Sequence, residues 1–319
     1  MSRTLLLAAK VGVSLALLAY LLSTTDLSAL HRRLRSGDTL LLAAAVALYT
    51  GIVVLSTWRW RVLLQAQGYE APLRHLSASY LVANFFNNFL PGNIGGDVVR
   101  VRDSSKLTGS TTASVAVVAI DRILGFGAVY ALALFAFVLG PTQLRVLRGV
   151  VPALAFLTLV FALLAYVFFR PGTARRVMSA SGLNNVPWIR GQFEVVQSAV
   201  NVYRQQVRAV WAAFVTSVAL QALVVCYFYA VAHSLRIPLS LAACFLVVPL
   251  CILAMAVPIS FNGWGIRESV FVLYFGQLGV PRDSTLAFSL AGAGLMVLLS
   301  LAGLVVWTSR AGAPAVPAE

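Results

Sequence analysis

Charge is scarce in this chain. Only 11% of its 319 residues are Asp, Glu, Lys or Arg, where a soluble domain carries about a quarter. That deficit, with 60% hydrophobic residues and a mean hydropathy of +0.88, excludes an ordinary soluble fold. Lysine is nearly absent, at Lys10 and Lys106. Neither follows a glycine, and no G-x-x-x-x-G-K-[ST] loop is present for binding nucleotide phosphates. The chain also lacks an H-E-x-x-H helix, a G-x-S-x-G nucleophile turn and metal-spaced histidines, so no metal, no cofactor and no enzymatic activity are expected. The three cysteines, Cys226, Cys244 and Cys251, all fall inside apolar runs without disulfide or zinc spacing and read as packing residues.

Long apolar runs take the place of charge. They approach 20 residues without two-residue alternation, which points to membrane helices rather than a β-barrel. Full spans are expected at about 4–23, 39–55, 111–139, 149–169, 209–232 and 284–307. Two further stretches, 76–107 and 241–278, are apolar but interrupted by Pro, Asn and Gly. The fold expected is therefore all-α, a polytopic transmembrane helix bundle with six full spans and two broken, re-entrant hairpins, or with eight spans. Residues 1–310 form one membrane domain, and 311–319 read as a disordered tail. The segment 170–208 reads either as an interfacial helix, with Tyr203 on its apolar side, or as a solvated linker. Trp58-Arg59-Trp60-Arg61 reads as an interface anchor after the second span.

The net charge of +14 is concentrated between the apolar runs. Membrane topology explains such a bias, and attraction to anionic lipid headgroups is the sharper alternative. With no basic soluble domain, no nucleic-acid partner is expected. The hairpin topology gives the larger charge asymmetry between faces and puts both termini in the cytoplasm of a cell (inner or plasma) membrane. The two halves also resemble one another. Pro91, Asn93, Gly95, Gly96 and Arg100 answer Pro258, Asn262, Gly263, Gly265 and Arg267, which suggests an inverted repeat. Paired Gly/Pro-interrupted segments in two halves of a membrane protein point to a transport site.

The candidate site residues follow from that pattern. Asp121 and Arg122 lie within a long apolar run, where an ionisable group is costly to bury. Adjacent helical residues diverge by about 100°, so they do not satisfy each other, and Arg122 needs a partner: Asp97, Glu268 or a lipid phosphate. Each Gly-rich turn precedes a short helix, whose N-terminus favours anions. Asn84, Asn87 and Asn88 add polar groups on the first hairpin. Arg267 and Glu268 form either part of a basic cavity or a clamp on each other.

These motifs carry a resemblance. The order of Pro91-Gly92-Asn93-Ile94-Gly95-Gly96-Asp97 with Arg100, then Asp121-Arg122, then Pro258 through Gly263, Gly265, Arg267 and Glu268 resembles the flippase-like membrane family related to the transmembrane region of lysylphosphatidylglycerol synthase/flippase proteins. The resemblance implies a protein that moves, or helps move, a phospholipid or other lipid between leaflets. In that family aminoacyl transfer belongs to a separate soluble domain, so these residues are expected to be the membrane region alone. The chain departs from the family pattern at Gly125, where an acid is common, and over Leu290 to Gly294, where an arginine is common. Both differences bear on the headgroup charge preferred. On this reading Arg122, Arg100 and Arg267 hold the headgroup phosphate. Asp97 and Glu268 balance them or take up a coupling proton, and the glycines permit hairpin movement. The partners expected are membrane lipids and a lipid-modifying enzyme. The alternative is a membrane subunit of a glycosyl- or aminoacyl-transferase system.

Overall fold

The structure is a computed structural model that describes residues 37–89, 95–170, 203–257, 260 and 262–311, with part of 171–202. The expected first span at 4–23, the turn residues Pro91, Gly92, Asn93 and Ile94, Pro258, and the tail from 312 lie outside the described residues. What is described is helical throughout, in the order α1 (Thr39–Ala66), α2 (Leu73–Phe89), α3 (Gly95–Thr108), α4 (Thr111–Leu139), the single turn α5 (Thr142–Arg145), α6 (Val150–Phe169), α7 (Val207–Ser234), α8 (Leu241–Met255), α9 (Ile266–Gln277) and α10 (Arg282–Ala311).

Length separates these helices into two kinds. At about 1.5 Å per residue, α1, α4, α7 and α10 exceed the roughly 30 Å hydrocarbon core, being 28, 29, 28 and 30 residues long. Among the described residues they are also the helices both long and apolar enough to cross a membrane. The 20 residues of α6 reach about 30 Å, so it corresponds to the fourth expected span. By contrast α2, α3, α8 and α9 have 17, 14, 15 and 12 residues, or about 18 to 26 Å, and fall short. They form two antiparallel hairpins. In the first, Gly96 meets Asn87 near the tip and Asp103 meets Ser79 further down. In the second, Gly263 lies against Met255 and the Arg267 carbonyl is 4.0 Å from Cys251 Sγ.

Packing reproduces the internal repeat. Helix α1 packs on α2, α2 on α3 and α3 on α4; correspondingly α7 packs on α8, α8 on α9 and α9 on α10. The hairpin arms are exchanged between halves, α2 packing on α10 and α8 on α4. The most extensive contact joins the equivalent helices α1 and α7. These two run antiparallel: Asp38 N–H donates to the Ser234 carbonyl at one end, and Arg59 reaches Ser217 at the other. Equivalent helices running in opposite directions make the repeat an inverted one. Tight approach at the exchanged contact depends on glycine. A Cβ on Gly303 of α10 would stand 2.1 Å from the Leu81 carbonyl oxygen of α2.

One expectation changes. Helix α1 runs eleven residues beyond Leu55, to Ala66, and carries Arg59 and Trp60 into the bundle, so this pair is no interface anchor. Of that cluster Trp58 is exposed and Trp60 is fully buried. The physical reason lies in α4, whose buried carboxylate draws Arg59 inward. Near the end of the 170–208 connection, Tyr203 docks on α1. Buried Tyr203 donates to the Leu63 carbonyl at 2.8 Å and accepts from Gln67 Nε2 at 2.9 Å.

Gly303→Ala is expected to destabilise the protein by about 1–3 kcal/mol through overpacking. Gly294→Ala on the same helix, where a Cβ meets nothing within 4 Å, is expected to be neutral or slightly stabilising. Thermal unfolding in detergent distinguishes the two, and equal melting temperatures would contradict the exchanged α2–α10 contact.

Candidate functional site

The candidate site grows from one carboxylate. Asp121 projects from α4 and is 2% exposed. Two guanidiniums from different helices converge on it. Arg59 of α1 places Nη2 3.0 Å from Oδ2 and Nε 2.6 Å from Oδ1, the second a close ionic contact without hydrogen-bond alignment. Arg100 of α3 donates from Nη1 to Oδ2 at 2.9 Å. The other side of Arg59 donates to Ser217 Oγ of α7 at 2.8 Å. One acid thus ties together two long spans and the inner arm of the first hairpin, with a third span held through serine.

Arg100 is also held by aromatic faces. Its guanidinium carbon lies 4.8 Å from the Trp60 ring centre and 5.8 Å from that of Tyr80, within range for cation–π attraction. Nε and Nη2 have no hydrogen-bond partner among the described residues, although the side chain is buried. The next residue on α4, Arg122, points elsewhere and donates to Asp97 in the first turn of α3. Asp97 Oδ1 is also 3.9 Å from Arg100 Nη1. The result is a chain of charges, Arg59–Asp121–Arg100–Asp97–Arg122. From Asp121 onward exposure rises: the Asp121 side chain is 3% exposed, Asp97 17% and Arg122 37%.

The remaining candidates fall into a hairpin seam and a second cluster. Gly95 and Gly96 are buried at the start of α3, and Gly96 N–H donates to Asn87 Oδ1 at 2.8 Å. A Cβ on Gly96 would fall 2.4 Å from the Ala83 carbonyl oxygen, so glycine lets the arms close. Asn84 donates to Tyr49 Oη at 3.1 Å, linking the hairpin to α1. Asn88 accepts from Asn262 Nδ2 at 3.2 Å, a contact between the two hairpins among the described residues. Asn93 lies outside the described residues.

In the second hairpin Asn262, Gly263 and Gly265 all adopt positive φ, at 49°, 73° and 84°, a backbone path that glycine tolerates without strain. Glu268 Oε2 accepts the Gly265 N–H at 2.7 Å, capping α9. Its Oε1 accepts from Arg267 Nε at 2.9 Å and from Ser289 Oγ of α10 at 2.9 Å. Arg267 lies over the Trp264 ring at 4.7 Å. The structure therefore gathers Asp97, Arg100, Asp121 and Arg122 into one network. Arg267 and Glu268 clamp each other, and their hydrogen bonds and ion pairs end within the second cluster.

Sequence reasoning missed two members of this arrangement. Arg59 belongs to the network; its signal was the buried, otherwise unbalanced acid at Asp121. Asp103 of α3, together with Ser79, receives Arg310 from the last helix, at 3.1 and 3.2 Å. No spacing in the sequence marks that long-range lock.

Removing Asp121 would leave two guanidiniums buried without their acid, so Asp121→Ala is expected to cost about 3–5 kcal/mol. Combining it with Arg59→Met should restore roughly 1 kcal/mol or more relative to additivity. Denaturation of the single and double variants checks this, and strict additivity would contradict the pairing.

The comparison with known proteins agrees with this architecture. The family model described as lysylphosphatidylglycerol synthase TM region matches residues 7–303. No curated protein matches the chain. A match over nearly the whole length, on a bundle of membrane-length helices with two glycine-tipped hairpins, identifies the chain as a multi-pass membrane protein belonging to the lysylphosphatidylglycerol synthase TM-region family.

Proposed function

We propose that the protein translocates a phospholipid, or assists its translocation, between leaflets. In this reading the headgroup phosphate sits at Arg122 while the acyl chains remain in lipid. The observation that carries it is the exposure gradient along the charged network. A buried acid fixes two arginines, and the network reaches the half-exposed guanidinium of Arg122 beside the glycine-rich start of α3. Arginine offers a planar fork suited to phosphate oxygens. Hairpins too short to cross, set in an inverted repeat and touching at their tips, suit alternating access from opposite faces.

The same reading assigns the protein no covalent chemistry of its own. It places the protein in a cell (inner or plasma) membrane with cytoplasmic termini, working on membrane lipids beside a lipid-modifying enzyme. Arg267 then serves to hold the second hairpin rather than the phosphate, because Glu268 and Ser289 already engage it. A second reading, a membrane subunit of a lipid-modifying enzyme, is favoured by the family description, which names a synthase.

Translocation of labelled anionic, cationic and neutral phospholipids in proteoliposomes tests the proposal. Wild-type protein is expected to move at least one class. Arg122→Ala is expected to lower that rate at least about tenfold, equivalent to about 1.4 kcal/mol in the barrier. Folded protein that moves none of them, yet is required for transfer activity by a partner enzyme, would favour the subunit reading instead.

A further inference from the structure

The ion pairs differ in whether they stay within one half of the repeat. Arg59–Asp121, Arg100–Asp121 and Arg122–Asp97 lie inside the first half, and Arg267–Glu268 lies inside the second. Arg310–Asp103 crosses between halves, from the last turn of α10 to α3 of the first hairpin. The Arg310 guanidinium is engaged through both terminal nitrogens. Nη1 donates to Asp103 Oδ2 at 3.1 Å and to Ser79 Oγ at 3.2 Å. Nη2 donates to the His75 carbonyl at 3.2 Å and to Ser79 Oγ at 3.3 Å. Ser79 Oγ in turn donates to Asp103 Oδ2. One side chain of the second half thus grips both arms of the first hairpin, away from the Asn88–Asn262 contact.

This clasp breaks more easily than the Asp121 network. The Asp121 side chain is 3% exposed, so parting it from its arginines strands charge in the core. The Asp103 and Arg310 side chains are 15% and 32% exposed, so each can turn to solvent or lipid headgroups at far lower cost. The two exchanged seams also differ in chemistry. The α2–α10 seam carries the clasp, whereas α8, which packs on α4 in the other seam, has no charged residue.

We infer that the Arg310 clasp is the latch of a gate at the α2–α10 seam. The inference rests on the proposed lipid-translocating function, because inverted repeats alternate access by rocking one repeat against the other. The Asp121 network stays closed in this motion. It binds α1, α3 and α4 into one body, and that body carries the first hairpin with it. The body turns about the long α1–α7 contact, parting α2 from α10 at the face where Arg310 sits. While the clasp holds, that seam is shut; its release opens lateral access for a headgroup between the hairpin and α10.

The test uses the full chain with Cys226, Cys244 and Cys251 replaced by alanine, in nanodiscs of equal parts phosphatidylcholine and phosphatidylglycerol. Spin labels at Lys106→Cys of α3 and Val305→Cys of α10, both exposed sites, report the width of the seam by pulsed electron resonance. Arg310→Gln is expected to raise the fraction of a second, longer distance about fivefold, the shift that losing a partly exposed ion pair allows. The reversed pair, Arg310→Asp with Asp103→Arg, is expected to return the short distance. Should Arg310→Gln fold poorly, Asp103→Asn breaks the same pair with little change of shape. Lipid translocation is measured on the same variants in proteoliposomes of the same lipids, and Arg310→Gln is expected to change its rate severalfold. A lower melting temperature with no longer distance, or no recovery in the reversed pair, would overturn the latch and leave the translocation reading intact. A longer distance with an unchanged translocation rate would overturn the gating role. A longer distance in a protein that translocates no lipid, wild type included, would remove the translocation reading and with it the gate.

Discussion

The carboxylate of Asp121 is the constraint on which the first half of this protein depends. Ionised groups are costly inside a membrane, and here one acid makes two buried arginines tolerable at once. It holds α1, α3 and α4 against one another and, through Arg59 and Ser217, brings α7 into the same assembly. Without it Arg59 has no counter-charge inside the bundle, and Arg100 of α3 loses its closest ion-pair partner on α4. The buried ion network is thus a means of fixing helix arrangement, at positions where lipid gives apolar helices little preference for one neighbour over another.

The second half solves the same problem differently. Glu268 is as buried as Asp121, yet its partners are local: the adjacent Arg267, the Gly265 N–H that it caps, and Ser289 on α10. The two halves share helix packing but not charge wiring. The first hairpin is tied by ion pairs to several spans, among them the half-exposed Arg122 of α4; the second holds its ion pair within itself and reaches α10 through Ser289. Among the described residues, their tips are joined by a neutral hydrogen bond between Asn88 and Asn262. A contact of that kind contributes only about 1 kcal/mol, weak enough to be remade as the hairpins move. The working asymmetry of the site follows from this difference between its two anchors.

Much of the fold was legible in the sequence, because membrane helices declare themselves by length and hydropathy. Spans at 39–55, 111–139, 149–169, 209–232 and 284–307 all have their helix, and the broken stretches are helix pairs. The likeness of Pro91–Arg100 to Pro258–Arg267 reflects a genuine repeat, visible in the packing of equivalent helices. The divergence of Asp121 and Arg122 was also legible, since adjacent helical residues face different neighbours, and Asp97 was among the partners named for Arg122. What stayed hidden were partners far apart in sequence. Arg59 sits in a Trp-Arg pattern that also marks membrane interfaces, and its helix continues two to three turns past the apolar run. The lock of Arg310 on Asp103 and Ser79 joins positions more than 200 residues apart. Of the two readings open for Arg267 and Glu268, the structure shows the mutual clamp, which the residue types alone did not distinguish from a cavity lining.

Two separately anchored hairpins that touch at Asn88 and Asn262 must part for the protein to work as proposed. The most direct measurement joins them covalently. In a chain with Cys226, Cys244 and Cys251 replaced by alanine, Asn88→Cys and Asn262→Cys are introduced together and linked with a short thiosulfonate reagent. Lipid translocation is then measured before and after reduction. The account predicts efficient cross-linking, loss of translocation while linked, and recovery on reduction. Failure to cross-link, or undiminished translocation by the linked protein, would contradict it.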